Sequence, residues 1–254
     1  MTGIIFAAGI GSRLKPFTDS HPKALAPVAG VPLLLRVAQK LCRAGVGRLI
    51  VNTHHFPEQI HACIAASDYA QMTDFSDEQP VLLDTGGALA LIARENAAFR
   101  ELPDDEPVIV HNADIYTDFD ITEMVRCHIS AGADATILVD PRRESTRHFL
   151  FDADRRLRGW ENVTKDATRP EGLDKSCLVP AAFGGVHVIS AGTIRRISAE
   201  QPDVIEPLSI TDWYIDNCGS TSIVGYTPSA PFRWHDIGTT EKLKAANDAL
   251  SGLL

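Results

Sequence analysis

The sequence predicts an α/β fold: a mixed, mostly parallel central sheet flanked by helices, with a small β-rich insertion. Three observations predict it. Apolar runs of strand length recur at residues 4–8, 48–53 and 108–114, as expected for strands buried on both faces. Helical periodicity fills the intervals between them, and alternation of strands with helices implies parallel pairing. After Pro141 the alternation gives way to two short strands around a polar turn, residues 148–152 and 156–160, which read as a hairpin.

Taken in order, the first run is Ile4, Ile5, Phe6, Ala7 and Ala8, and it stops at Gly9. Gly9 and Gly11 remove two Cβ atoms where the chain turns, so backbone N–H groups can approach an anion. Arg13 follows with a fork suited to a diphosphate, and Lys23 supplies a point charge. Pro16, Pro22 and Pro27 keep this segment from continuing as a helix. The dinucleotide fingerprint fails because Leu14 stands where its third glycine belongs, and no GxxxxGK segment occurs.

Leu34, Val37, Ala38 and Leu41 then mark a helix begun at Pro32 and closed by Gly45, and residues 48–53 form the second strand. Pro57 starts another helix, with Ile60 and Ile64 inward. Residues 69–80 contribute a further strand. Asp84, Thr85, Gly86 and Gly87 open a helix whose glycine pair would let a flat ligand lie against the backbone; a simple helix start explains the pair equally well. The strand at 108–114 delivers Asp114 to its carboxyl end, where ligands collect in open α/β sheets. Residues 133–139 make a fifth strand. Residues 161–180 are polar without clear period and read as a mobile loop or lid. A strand at 181–190, helices around Ile194 and Ile197 and at 209–218, a strand at 221–226, and a last helix from about Thr240 to Leu250 complete the chain. Asp236 lies just before that helix. In isolation it reads as a turn or cap residue.

At 254 residues the chain can bury a large core without staples, and one domain is the expectation. With 24 Lys and Arg against 33 Asp and Glu, the net charge is −9, which argues against nucleic-acid or anionic-membrane partners. Five dispersed cysteines without CxxC spacing suit reduced thiols and a cytoplasmic location. No apolar run approaches a membrane span. Adjacent His54 and His55 point to opposite sides and end the second strand; His111 reads as a packed core residue.

The ordered set GxGSRLxPxT, then PKxLxPV, resembles the N-terminal signature of the sugar-phosphate nucleotidyltransferases. The segments VNTHHF, DTGGAL, NADIYTD and WHDIGT are closest to the branch that includes N-acetylmuramate-1-phosphate uridylyltransferases, and the resemblance spans essentially the whole chain. It implies a Rossmann-like nucleotide-diphospho-sugar transferase fold of the GT-A-like kind. It also implies a reaction in which a sugar 1-phosphate attacks the α-phosphorus of a nucleoside triphosphate. By that resemblance Arg13 and Lys23 would be catalytic, and Ala8, Gly9, Gly11, Ser12, Asn52, Gly86 and Gly87 would bind the nucleotide. Asp114 and Asp236 would hold Mg²⁺, which favours one or two carboxylates plus phosphate oxygens. Asn112, Glu161, Lys165 and Gly185 are the sugar-binding candidates, and the resemblance implies that 1–140 is mainly nucleotide-binding, 141–226 mainly sugar-phosphate-binding, and that 227–254 closes the metal site. The chain departs from the family here: WENVTKD replaces an EKP segment, and Phe183, Gly184 and Gly185 stand where NAG is usual. UTP with an N-acetylmuramate or other hexose 1-phosphate is the expected pair. A GTP- or CTP-using enzyme acting on another sugar or alcohol phosphate, and a non-catalytic regulatory homologue, are the alternatives. The protein is expected as a monomer or small homo-oligomer.

Overall fold

A computed structural model describes residues 1–250. The chain begins with β1 (Thr2–Phe6), the two-residue strands β2 (Pro27–Val28) and β3 (Val31–Pro32), and α1 (Leu33–Arg43). Then come β4 (Arg48–Thr53), α2 (Pro57–Ala65), β5 (Thr73–Asp77), α3 (Asp84–Glu95), α4 (Ala97–Arg100), β6 (Pro107–Asn112) and β7 (Ile115–Thr117). Next are α5 (Ile121–Ala131), β8 (Ala135–Asp140), β9 (Arg147–Phe151), β10 (Leu157–Asn162), β11 (Ala167–Arg169) and β12 (Val179–Ser190). The chain ends with α6 (Ala191–Ala199), α7 (Ile210–Asn217), β13 (Ile223–Tyr226), β14 (Trp234–Asp236) and α8 (Thr240–Leu250).

These elements group into two compact units. The first comprises Met1–Leu83, Val108–Ile121 and the segment from Ala230 onward. Its sheet is parallel, with β1 between β4 and β6 and β5 outside β4. Ile4, Ile5, Ile50, Val51, Ile109 and Val110 are fully buried there, each contributing about 1.5–3 kcal/mol through its transfer from water. The α1 face predicted from its spacing, Leu34, Val37, Ala38 and Leu41, is buried. A side chain at Gly3 would meet Leu41 Cδ1 at 3.0 Å, so this glycine lets the helix close on the strand. One register row carries the consequence for function: Phe6 lies opposite both Asn52 and Asn112. All three strands therefore end at one edge, and the segments leaving β1, β4 and β6 start side by side.

The second unit comprises Asp84–Pro107 and Thr122–Ser229. Its strands β9, β10 and β11 form an antiparallel meander, β12 pairs antiparallel with both β8 and β9, and β13 runs parallel to β8. Helix α3 packs against α6 and α7. The α/β class with a parallel sheet, flanking helices and a small antiparallel insertion is what the structure shows.

Residues 161–180 are more regular than the sequence suggested. Trp160, Glu161 and Asn162 pair with Arg169, Thr168 and Ala167 around a 3₁₀ turn at Val163–Lys165. Asp166 adopts φ +46 to complete that turn. The half-exposed edge strand β11 has no alternating apolar face, so nothing in its composition marks it as a strand. The short elements β7 and α4 were likewise not foreseen.

Candidate active site

In the first unit the loop after β1 is folded by its own bonds. The Gly11 carbonyl accepts from Leu14 N (2.8 Å) and Thr18 Oγ1 (2.9 Å). Gly11 has φ +69, and a Cβ there would lie 2.8 Å from Thr18 Cγ2 and 2.9 Å from Lys23 Cβ. Only glycine tolerates both the dihedral and the approach. A Cβ at Gly9 would meet nothing within 4 Å; this residue, Ser12 and Arg13 are exposed, while Ala8 is buried. Leu14, 1 % exposed, packs with Ala26, Val28, Leu33, Ile237, Ala246 and Leu250. The residue that spoils the dinucleotide fingerprint is thus the loop's apolar anchor.

Lys23 opens a 3₁₀ turn after the extended Pro22, and its Nζ donates to Asp114 Oδ2 at 2.5 Å. The ammonium is mostly enclosed, with 13 % side-chain exposure against 29 % for Asp114. Asp114 sits between β6 and β7, where Ala113 N bonds to Phe6 O at 3.0 Å. Strand β14 pairs antiparallel with β7 and places Asp236 opposite Ile115, and Ile237 N donates to the Asp114 carbonyl at 2.8 Å. Two aspartates far apart in sequence are thereby neighbours. Asp236 Oδ2 accepts from Lys242 Nζ at 2.5 Å, a lysine the sequence reading missed because it looks like any solvated residue of α8.

The donor set fits Mg²⁺. Each carboxylate already carries a cation, Lys23 on one and Lys242 on the other. Two carboxylates leave room for the phosphate oxygens and waters this ion prefers. Among the described residues no group of three or more His, Cys, Asp and Glu could form an all-protein metal cage.

Two asparagines at the same edge differ. Asn52 is buried and committed: Oδ1 accepts from Ala7 N (2.7 Å), and Nδ2 donates to Glu78 Oε1 (2.5 Å). Glu78, fully buried, also takes Leu83 N at 2.7 Å through Oε2. Asn52 thus braces the start of the glycine loop, and Glu78, hidden in a polar stretch, had no sequence signal. Asn112 leaves its buried Oδ1 without a partner, an acceptor open to a ligand. Beside it His111 is fully buried, and burial pushes its pKa down to about 4, so its ring is neutral and belongs to the core. His54 follows β4 and bonds through Nδ1 to Glu78 O.

In the second unit Gly86 and Gly87 lie in the first turn of α3, and both N–H groups donate to Leu208 O, at 2.7 and 3.1 Å. A Cβ on Gly86 would sit 2.9 Å from that oxygen, so this glycine admits the chain's own backbone. Glu161 is buried in β10 and accepts from Lys175 Nζ (2.8 Å), with His148 Nδ1 at 3.1 Å. The Lys175 ammonium holds the Glu161 carboxyl below its ordinary range, with His148 assisting. Lys175, not the exposed Lys165, is the cation beside this carboxylate. Gly185 is buried with φ +76, inside the irregular register of β12 between Phe183 and His187. A cavity of about 510 Å³ opens beside these groups, lined by Arg143, Arg147, Arg169, His148, Phe149 and Trp160 among others.

The sequence profile of the nucleotidyl transferase family matches residues 2–251. The N-acetylmuramate alpha-1-phosphate uridylyltransferase of Caulobacter vibrioides is 28 % identical over 98 % of this chain and 96 % of its own. The mannose-1-phosphate guanyltransferase of Hypocrea jecorina is 26 % identical over 94 % of this chain, which spans 61 % of that relative's length. Two solved structures share the fold. One is a Bacillus anthracis protein described as a glucose-1-phosphate thymidylyltransferase, with TM-score 0.71, 23 % identity, and coverage of 98 % of this chain and 95 % of its own. The other is HddC of Yersinia pseudotuberculosis complexed with GMP-PN, with TM-score 0.70, 19 % identity, and coverage of 98 % and 99 %.

Proposed function

The chain belongs to the nucleotidyl transferase family, a family of sugar-phosphate nucleotidyltransferases, and from that premise we propose that it joins UTP to a sugar 1-phosphate, releasing pyrophosphate. The observation that carries the reading is the Lys23–Asp114 pair beside Asp236 at the carboxyl edge of the parallel sheet. A sugar-phosphate oxygen, already anionic at neutral pH, attacks the α-phosphorus; the bond from that phosphorus to the bridging oxygen breaks, and pyrophosphate carries the electron pair away. No proton moves, so no general base is required. Positioning and charge stabilisation supply the rate.

Lys23, held at the strand end, faces charge developing on the α-phosphate. Arg13 and the amides of Gly9 to Ser12 hold the departing pyrophosphate. Asp114 and Asp236 would hold Mg²⁺, whose charge neutralises the triphosphate. Asn112, with its open carbonyl oxygen, is the polar acceptor the first unit offers a substrate, and Glu161 and Gly185 are the sugar-binding candidates of the second.

For the sugar, the near full-length match to the Caulobacter uridylyltransferase supports N-acetylmuramate 1-phosphate. That sugar carries a carboxylate beside its phosphate, and Arg147 in the cavity lining, which also holds Asp84 and the Arg169–Asp212 ion pair, offers a cation for a second negative group. GTP with mannose 1-phosphate is the second reading, supported by the Hypocrea relative. The product would be a nucleotide sugar for envelope precursors, made in the cytoplasm. The test is a matrix of nucleoside triphosphates against sugar 1-phosphates with Mg²⁺, read as pyrophosphate release. UTP with N-acetylmuramate 1-phosphate is expected to give the highest kcat/KM; no turnover with any pair would overturn the assignment.

A further inference from the structure

We propose that Lys242 is a built-in competitor for the divalent cation: its ammonium occupies the Asp236 carboxylate in the metal-free protein and is displaced when metal binds. The inference rests on the reading of Asp114 and Asp236 as the metal pair. Its own evidence is the contrast between the two lysines on those carboxylates.

Lys23 is fixed. It sits on a turn after Pro22, 13 % exposed, with its stem against the space that Gly11 leaves empty. Lys242 is not fixed. Its backbone is anchored at the start of α8, where its N–H donates to Thr239 Oγ1 at 3.3 Å, but its side chain is 51 % exposed. A lysine stem of four carbons can leave a half-exposed partner and regain full hydration at little cost. Asp236 is 24 % exposed, and a side chain on Gly238 would come within 2.8 Å of its Oδ1. Glycine at 238 therefore keeps the other carboxylate oxygen uncrowded for a ligand arriving from outside.

The charges give the arrangement a direction. Two carboxylates and two ammonium groups make a neutral cluster. Exchange of one ammonium for a divalent ion leaves the cluster with one net positive charge, which attracts the polyanionic triphosphate. Metal alone must work against Lys242, whereas metal arriving with a triphosphate brings the phosphate oxygens that complete its coordination. Lys242 thus couples metal retention to the presence of nucleotide.

The experiment is Mn²⁺ binding to the whole protein without nucleotide, followed by electron paramagnetic resonance of free Mn²⁺. Wild type, Lys242→Gln, Lys242→Arg, Asp236→Asn and the Lys242→Gln/Asp236→Asn double variant are compared. Lys242→Gln is expected to tighten Mn²⁺ about two- to fivefold, the exposed pair placing the effect at the weak end of charge interactions. Lys242→Arg should stay near wild type, and the gain should vanish in the double variant. If Lys242→Gln binds Mn²⁺ no more tightly than wild type while Asp236→Asn binds it more weakly, the competitor role is overturned and the metal pair stands. If Asp236→Asn does not weaken binding, or neither wild type nor Lys242→Gln binds Mn²⁺, the metal-site reading itself falls, and this inference with it.

Discussion

Lys23 shows how one residue joins a motif to a fold. Its ammonium, held on Asp114, is the positive charge expected to meet the α-phosphate, and removing one such contact commonly costs about 100- to 1000-fold in rate. Lys23→Ala should therefore lose about that much kcat while keeping its far-UV circular dichroism and cooperative unfolding; a loss under tenfold would remove Lys23 from the chemistry. Lys23 and Asp114 stand out in the sequence by their places after the glycine loop and at a strand end, Asp236 only through the family resemblance. Lys175, Lys242 and Glu78 do not stand out. Each is a common charged residue in a polar stretch, and only tertiary contact distinguishes it from its neighbours.

At the scale of the element, the loop from Gly9 to Val28 is held less by its glycines than by an apolar seam. Leu14, Ala26 and Val28 join Leu33 of α1 with Ala246 and Leu250 of α8, and the Ala29 N–H adds a bond to Asn247 Oδ1 at 2.7 Å. Leu14→Ala leaves a cavity in that seam, and such truncations cost about 2–5 kcal/mol. Urea unfolding should show a loss in this range, with a rise in the KM for triphosphate as the loop loses its seat. A change below about 1 kcal/mol would mean that the seam does not hold the loop. Most strands and helices were legible from periodicity, including β4 and α1 with their inward faces. The edge strand β11 was not, because it gains its stability from backbone pairing and leaves no apolar pattern to read.

For the whole molecule, acid sensitivity follows from two histidines in separate units. Burial lowers His111 and His128 from 6.5 to about 4, with Asp134 partly opposing the shift at His128. Unfolding frees both rings to take protons at their ordinary value, so the unfolded state binds more protons between pH 6.5 and 4, and stability must fall as pH drops through that window. His128, bonded to Thr136 Oγ1 at 3.1 Å and Ser190 Oγ at 3.2 Å, is the simpler to replace. His128→Gln should flatten the dependence of unfolding free energy on pH by about one proton in this window, measured by urea titrations at several pH values; an unchanged slope would show that His128 is not a source of the effect. The α/β class follows from periodicity, a local property of the chain, whereas the role expected of the glycine loop rests on residue type and the pairing of Asp114 with Asp236 on the family resemblance. The tertiary structure alone decided which charges meet. The β1, β4 and β6 register collects three strand ends at one edge, β14 brings Asp236 to Asp114 across 122 residues, and Lys175 rather than Lys165 reaches Glu161. The physical reason is that ion pairing depends on distances of a few ångströms, and those are set by packing between segments that the linear order keeps far apart.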